Sequence, residues 1–271
     1  MAIQTDGIVL KNQKIKSIYF LLEIGCPSIA DQTKPGQFVM LRTSPDGSPL
    51  LKRPFSIFKS YSTRNPEKRK RGHLLIVYKK VGKGTGKMAE FREGETVNLI
   101  GPLGNGFTLP PLPSSTDIFL VGGGIGVVSL YPLIERMERK RFIVFIGGKT
   151  EADILCVEDF KKRHAEVFIS TENGSLGFKG KVTDLLFSEL KRRERSRPYY
   201  LYACGPIGML RELGQKLDLK ESISQVSLEA RMACGFGACW GCVIKTNDPQ
   251  TPYHRVCQEG PVFDLKEIVW E

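Results

Sequence analysis

Four cysteines limit what this chain can fold into more than any other feature: Cys234, Cys239, Cys242 and Cys257 are spaced C-x4-C-x2-C-x14-C. Thiolates two to four residues apart can reach one metal centre while the intervening backbone wraps it. Gly235, Gly237, Ala238 and Gly241 leave room that bulkier side chains would fill. The segment 226–271 has little apolar core of its own, so a metal, the neighbouring domain, or both must hold it.

The x4-then-x2 order is the spacing of a plant-type [2Fe-2S] site, whose anionic sulfides are stabilised by surrounding N–H groups. A zinc site of four cysteines and unliganded buried cysteines are the other readings. Zinc favours two C-x2-C knuckles over this asymmetric arrangement. Cys26 and Cys156 read as packing residues, and His73, His164 and His254 form no ligand spacing.

With 271 residues the chain can bury a substantial core without disulfides. Its 41% apolar and 25% charged residues are those of a soluble globular protein. No apolar run approaches 18 residues and the first ten lack a secretion-signal pattern, so no transmembrane segment and a cytoplasmic location are expected. There thiols stay reduced and clustered cysteines act as ligands. The formal charge of +11 is spread over 64–73, 160–164 and 189–197 with acidic residues interleaved. No aromatic-flanked basic stripe accompanies it, so no nucleic-acid partner is expected; anionic nucleotides or an acidic protein surface fit equally well.

From residue 3 to about 110 the chain reads as short strands between turns, at 20–24, 37–43, 55–59, 73–80 and 95–104, with one short helix near Met88. This predicts a small N-terminal antiparallel β-barrel, since closure removes exposed strand edges. The proline-rich stretch 109–115 reads as a linker. Beyond it apolar strands at 117–124, 141–149, 165–170 and 199–205 alternate with amphipathic helices, which predicts an α/β domain with a parallel sheet. The expected division is 1–110, 111–225 and 226–271.

Several loops carry candidate chemistry. Gly122, Gly123, Gly124 and Gly126 end a strand and open a helix, where backbone N–H groups and the helix dipole suit a phosphate; a glycine-rich turn that binds nothing is the alternative. Cys204, Gly205 and Pro206 end a second strand of the same sheet, where ligands collect in parallel-sheet proteins. Glu172 and Asn173 are candidates for a ribose, or a plain turn. In the barrel, Arg53 of the run Arg53, Pro54, Phe55 and Ser56 can pair with a phosphate or be one surface arginine among forty basic residues, and Gly82, Gly84 and Thr85 join a strand to a helix in another phosphate-suited geometry, with a plain hairpin corner as the alternative.

Taken together, RPFSI (53–57), VGKGT (81–85), GPLGNGF (101–107), VGGGIG (121–126), YACGP (202–206), SLEARMACGFGACWGCVI (227–244) and HRVCQEGPVFD (254–264) resemble the ferredoxin-reductase superfamily. Within it they are most similar to the family of dihydroorotate dehydrogenase B electron-transfer subunits. The resemblance implies FAD held by Arg53, Pro54, Phe55, Ser56, Gly82, Gly84 and Thr85, with Arg53 on the pyrophosphate and Ser56 near the isoalloxazine. It implies NAD+ as co-substrate at Gly122, Gly123, Gly124, Gly126, Cys204, Gly205 and Pro206, and one [2Fe-2S] cluster on the four spaced cysteines. Val127, Val128 and Ser129 stand where the family often has prolines, Gly208 where a proline is common, and Asn173 where an aspartate is frequent.

The family's function implies an oxidoreductase subunit in pyrimidine biosynthesis that takes electrons from the FMN of a separate catalytic dihydroorotate dehydrogenase subunit. It implies a heterotetramer of two copies of each subunit and no catalytic side chain in this one. A flavin is the needed converter between a two-electron nicotinamide and a one-electron iron–sulfur centre. The other readings are a related NAD(P)H–ferredoxin or hydrogenase-associated oxidoreductase subunit, and a non-catalytic nucleotide-binding scaffold with structural zinc.

Overall fold

The computed structural model describes residues 2–44, 46–64, 72–109, 116–137, 140–193, 199–217 and 222–270. The basic stretch from 65 to 71, the proline-rich linker from 110 to 115 and the boundary expected at 110/111 lie outside the described residues.

The N-terminal strands are β1 (Ile3–Lys16), β2 (Tyr19–Gly25), β3 (Phe38–Leu41), β4 (Arg53–Ser56), β5 (Lys59–Tyr61), β6 (His73–Lys79) and β7 (Thr96–Leu103). They form an antiparallel seven-stranded sheet in the order β4-β3-β7-β1-β2-β6-β5. The sheet curls as a half-barrel: Phe55 of β4 meets the ring of Tyr78 of β6 edge-on at 6.2 Å. Its ladder keeps two ends, β4 and β5, so curling rather than a continuous ladder encloses the core of Val9, Leu22, Ile24, Val39, Leu41 and Ile76. Pro54 can sit in β4 because an edge strand does not need every N–H for the ladder. The short helices are α1 (Pro27–Ala30) and α2 (Lys83–Met88). Asn12 donates to the carbonyls of Met88 and Phe91 and pins the end of α2 to the sheet.

Two features depart from the sequence reading of this half. The stretch 55–59 is not one strand; β4 ends at Ser56 and β5 begins at Lys59. The longest strand, β1, sits in the middle of the sheet although its mixed Lys, Asn and Gln content hides it from a strand count. It is half-exposed along much of its length, so polar residues are tolerated on its outer face.

The second sheet is built from β8 (Asp117–Gly123), β9 (Arg141–Gly148), β10 (Glu166–Thr171), β11 (Phe178–Lys179), β12 (Tyr199–Cys204) and β13 (Ser222–Ser227). The order is β11-β10-β9-β8-β12-β13, all parallel, with α3 (Val127–Arg136), α4 (Val157–Lys161), α5 (Val182–Arg192) and α6 (Ile207–Lys216) in the crossovers. The interior of this sheet, Ile118, Phe119, Leu120, Val121 and Phe142–Ile146, is almost wholly buried, as parallel strands covered on both faces require. α3 runs on past Pro132 to Arg136. β13 escaped the sequence reading because its apolar positions alternate with serine and glutamine.

The later part adds β14 (Val243–Lys245), β15 (Tyr253–Arg255) and β16 (Val262–Asp264), the last antiparallel to β13. The architecture is thus the expected one: curled antiparallel sheet, α/β sheet and cysteine-bearing segment. In space the chain makes two compact units. The first holds 1–106, 230–243 and 255–261; the second holds 107–229, 244–254 and 262–271. Among the described residues no helix is long and apolar enough to cross a membrane.

Candidate metal centre and nucleotide-binding loops

The cysteine loop is carried by the first unit. It needs backbone that only small residues accept: Gly235 has φ of 80° and Gly237 of 90°. A Cβ on Gly235 would stand 2.4 Å from Met40 Cγ of β3, so the loop lies directly on the curled sheet. The second cysteine arm is fixed at the end of β7: Asn105 N–H donates to Gly260 O, its side-chain amide to Glu259 O (2.9 Å), and Gly104 packs on Pro261.

Cys242 and Cys257 are buried, Cys234 is half-buried and Cys239 is exposed. The thiols stand as neighbouring pairs, Cys234 with Cys239 and Cys242 with Cys257. Burial raises the pKa of Cys234, but N–H groups of Phe236, Cys239 and Ala238 and the Cys239 thiol outweigh it and draw it down to about 6. Burial and then the adjacent Cys242 thiol push Cys257 up to about 12, opposed by the Gly237 N–H donated to its Sγ at 3.2 Å. Among the described residues no three His, Cys, Asp or Glu side chains gather as the ligands of one ion. Four sulfur donors in two pairs, with N–H groups aimed at them, fit a two-iron cluster, whose irons need two thiolates each.

Sequence reading missed what stands behind these cysteines. Arg255 donates from Nη1 to Gly237 O (2.7 Å), and its guanidinium lies 4.5 Å from the centre of the Trp240 ring. Glu259 fixes it, accepting from the Arg255 backbone N–H (2.7 Å), from Nε (3.1 Å) and from Nη2. Glu259 chiefly, and more weakly Cys257 and Cys242, raise the Arg255 pKa. Arg255 ends β15 and Glu259 lies in the turn after it, so the helical i,i+4 rule gave no signal for this pair.

Also in the first unit, Arg53 is half-buried on β4 and donates to its own loop carbonyls, Leu51 O (2.8 Å) and Lys52 O (3.3 Å). β3 pairs with β4 so that Met40 faces Pro54, Val39 faces Phe55 and Phe38 faces Ser56. The Thr85 hydroxyl accepts from the N–H groups of Val81 (2.9 Å) and Gly82 (3.1 Å), shaping the turn into α2. Gly82 faces open space, whereas a Cβ on Gly84 would stand 3.1 Å from Thr43 Oγ1. Among the described residues that buried hydroxyl has no hydrogen-bond partner, and a buried polar atom without one is rare unless a ligand or water completes it. An open glycine, an orphaned hydroxyl and Arg53 fit a phosphate-bearing flavin.

In the second unit, three of the four glycines in the 122–126 turn are used up by packing. A Cβ on Gly122 would meet Val127 at 2.5 Å, one on Gly123 would meet Pro206 Cδ at 2.6 Å, and one on Gly126 would meet Cys204 O at 2.4 Å. Gly124, with φ of 54°, alone faces open space. The turn thus abuts the Cys204–Pro206 turn, and the strand ends of β8 and β12 form one edge, as a nucleotide's backbone-lined cradle needs. Cys204 is buried; burial first, then Glu229, push its thiol to about 12, against hydroxyls of Ser129 and Ser227. It is a packing thiol. The Asn173 side-chain oxygen is taken by Ser175, from N–H (3.0 Å) and Oγ (2.7 Å), which makes a turn.

Residues 229–269 match a family model described as the iron-sulfur cluster binding domain of dihydroorotate dehydrogenase B. A dihydroorotate dehydrogenase B (NAD(+)) electron transfer subunit of Desulforamulus reducens is 38% identical over 269 residues, 98% of each chain. The protein of that name from Bacillus caldolyticus is 37% identical over 89% of each chain. Among solved structures, an NADH-dependent reduced ferredoxin-NADP oxidoreductase is similar with TM-score 0.81 and 28% identity, over 97% of this chain and 90% of that one. Phthalate dioxygenase reductase shares the fold, with TM-score 0.60 and 15% identity over 90% and 87%.

Proposed function

Because the chain belongs to the family of dihydroorotate dehydrogenase B electron-transfer subunits, we propose that it passes electrons from the FMN of a catalytic dihydroorotate dehydrogenase subunit through a [2Fe-2S] centre and FAD to NAD+, in pyrimidine biosynthesis. Bound flavin supplies the exchange between single electrons and a hydride. Everything else is binding and spacing by this chain. Cys234, Cys239, Cys242 and Cys257 hold the cluster. Arg53, Pro54, Phe55, Ser56, Gly82, Gly84 and Thr85 hold the flavin. Gly122, Gly123, Gly124, Gly126, Cys204, Gly205 and Pro206 form the nicotinamide-nucleotide loops, Gly124 offering the open approach and the others shaping the edge. In this reading 1–110 is the flavin part, 111–225 the nucleotide part and 226–271 the cluster part.

The observation that carries the reading is a juxtaposition within the first unit. Gly235 of the cysteine loop rests on Met40, and Met40 pairs across the sheet with Pro54 of the flavin run. One strand therefore separates the proposed cluster loop from the proposed flavin strand, and a fixed short separation is what single-electron exchange needs.

The catalytic partner is supported by the surface beside the cysteines. Phe236, Trp240 and Val243 are large apolar residues left largely exposed around the exposed Cys239. Such clustered exposure marks a protein contact more often than bare solvent. A tetramer of two chains and two catalytic subunits, in the cytoplasm where thiols stay reduced, completes the proposal.

Anaerobic purification of the protein followed by iron, acid-labile sulfide and flavin analysis tests it, together with capture of the FMN-containing subunit. Equal iron and sulfide, bound FAD and a stable complex are the expected results. Zinc in place of iron, or a colourless protein without flavin affinity, would overturn the reading. Capture of a ferredoxin instead would favour the function of the ferredoxin-NADP oxidoreductase relative.

Arg53→Ala tests the flavin run. Losing a charge-assisted contact to phosphate costs about 1.5–3 kcal/mol, so FAD affinity is expected to fall by roughly 10–150-fold. Fluorescence titration of the apoprotein with FAD measures it, and unchanged affinity would remove Arg53 from the site.

A further inference from the structure

Resting on the reading of the cysteine loop as an iron–sulfur site, we propose that Arg255 is the positioning residue that sets the reduction potential of that centre, with Glu259 as the counter-charge that moderates it. Arg255 is not a ligand. It reaches the ligands through one residue, whose two flanking peptides it links: it donates to Gly237 O at 2.7 Å, and the N–H of the same Gly237 donates to Cys257 Sγ at 3.2 Å. Polarising the Gly237 carbonyl strengthens nothing by itself, but it fixes the peptides of this loop so that the N–H stays aimed at sulfur. The guanidinium also covers the ring of Trp240, the residue between Cys239 and Gly241 that holds φ of 55°. One side chain thus holds both halves of the loop, at Gly237 and at Trp240.

Its charge matters as much as its contacts. Uptake of one electron makes a four-thiolate centre one charge more negative, so a nearby cation favours the reduced form and a nearby anion disfavours it. Arg255 is only 22% exposed and Glu259 31%, which weakens solvent screening of both. The pair is locked by three contacts, including one from the Arg255 backbone N–H, so neither charge can swing away. A brace alone would need the guanidinium but no carboxylate gripping it from behind.

The two charges predict opposite signs. Redox titration followed by electron paramagnetic resonance, on the anaerobically purified complex, reads the midpoint potential of the centre. Arg255→Gln is expected to make electron uptake about tenfold less favourable, about 59 mV lower for one electron. Glu259→Gln removes the anion and leaves Arg255 in place, so its potential is expected to rise. Arg255→Lys keeps the charge but not the planar fork, and is expected to stay nearer the wild-type potential than Arg255→Gln while retaining less cluster.

Potentials that move in the same direction in Arg255→Gln and Glu259→Gln, or that do not move, would overturn the inference and leave Arg255 a brace. If Arg255→Gln retains no cluster, Glu259→Gln decides alone: a raised potential supports the inference and an unchanged or lowered one overturns it. A wild-type protein with no reducible iron would instead overturn the functional reading beneath it.

Discussion

Cys239→Ser is expected to empty the cluster site while leaving the flavin in place. Cys239 is the exposed member of the four and pairs with Cys234, whose thiol it helps to keep near the ionised state. Replacing sulfur by a hydroxyl that does not ionise at neutral pH removes one of the four proposed ligands. The loss of iron and sulfide should exceed the roughly 10–100-fold typical of altering a group behind a ligand. Arg53, Ser56 and Thr85 belong to β4 and to the first turn of α2, which the cysteine loop does not build. Flavin content should therefore stay near wild type, and NADH oxidation by an artificial flavin acceptor should survive while delivery between the catalytic subunit and NAD+ stops. Iron analysis and the two activities measure this; iron retained at the wild-type level would remove Cys239 from the ligand set.

Gly126→Ala should damage the second unit more than any exposed-loop change. Its φ is ordinary, so the cost is steric: the added methyl would stand 2.4 Å from the Cys204 carbonyl oxygen and 2.7 Å from the Gly205 nitrogen, both backbone atoms of the neighbouring turn. Neither can rotate away, so α3 must shift off the sheet. Overpacking of this kind costs about 1–3 kcal/mol and sometimes more. At the upper end the Tm should fall by roughly 6 °C, since 1 kcal/mol shifts it by about 2 °C at the large end of the 150–250-residue range. Reduction of the bound flavin by NADH should slow in parallel, because the same two turns form the proposed nucleotide edge. Gly124→Ala is the contrast: it meets open space and bears only the positive φ of 54°, a cost of about 1–2 kcal/mol. Thermal unfolding of both variants separates crowding from backbone strain. A Gly126→Ala protein as stable as wild type would mean that the two turns do not pack this tightly.

A run of small residues after an apolar strand identifies a tight strand-to-helix turn, and the turn is there. It does not reveal that Gly122, Gly123 and Gly126 are claimed by Val127, Pro206 and Cys204, because Pro206 and Cys204 come from a turn about eighty residues further on. The same holds for Gly235 on Met40 and for Asn105 on Gly260: each is a contact between residues that share no local period. β1 and β13 were missed for a related reason. Their strand character comes from ladder partners on both sides, which stabilise polar sequences that alternation alone would leave as loop.

The order of residues by itself determined the change from strand-and-turn to alternating strand and helix, and the cysteine and glycine spacings that name the chemistry, since these depend on side-chain size, periodicity and ligand type over a few positions. Only the tertiary structure decided that the thiols stand in two pairs, that the cysteine loop rests on the strand beside Arg53–Ser56, and that Arg255 and Glu259 stand behind it. Those are matters of packing between distant stretches, where steric fit and the satisfaction of buried polar groups select one arrangement from many that the same local patterns allow.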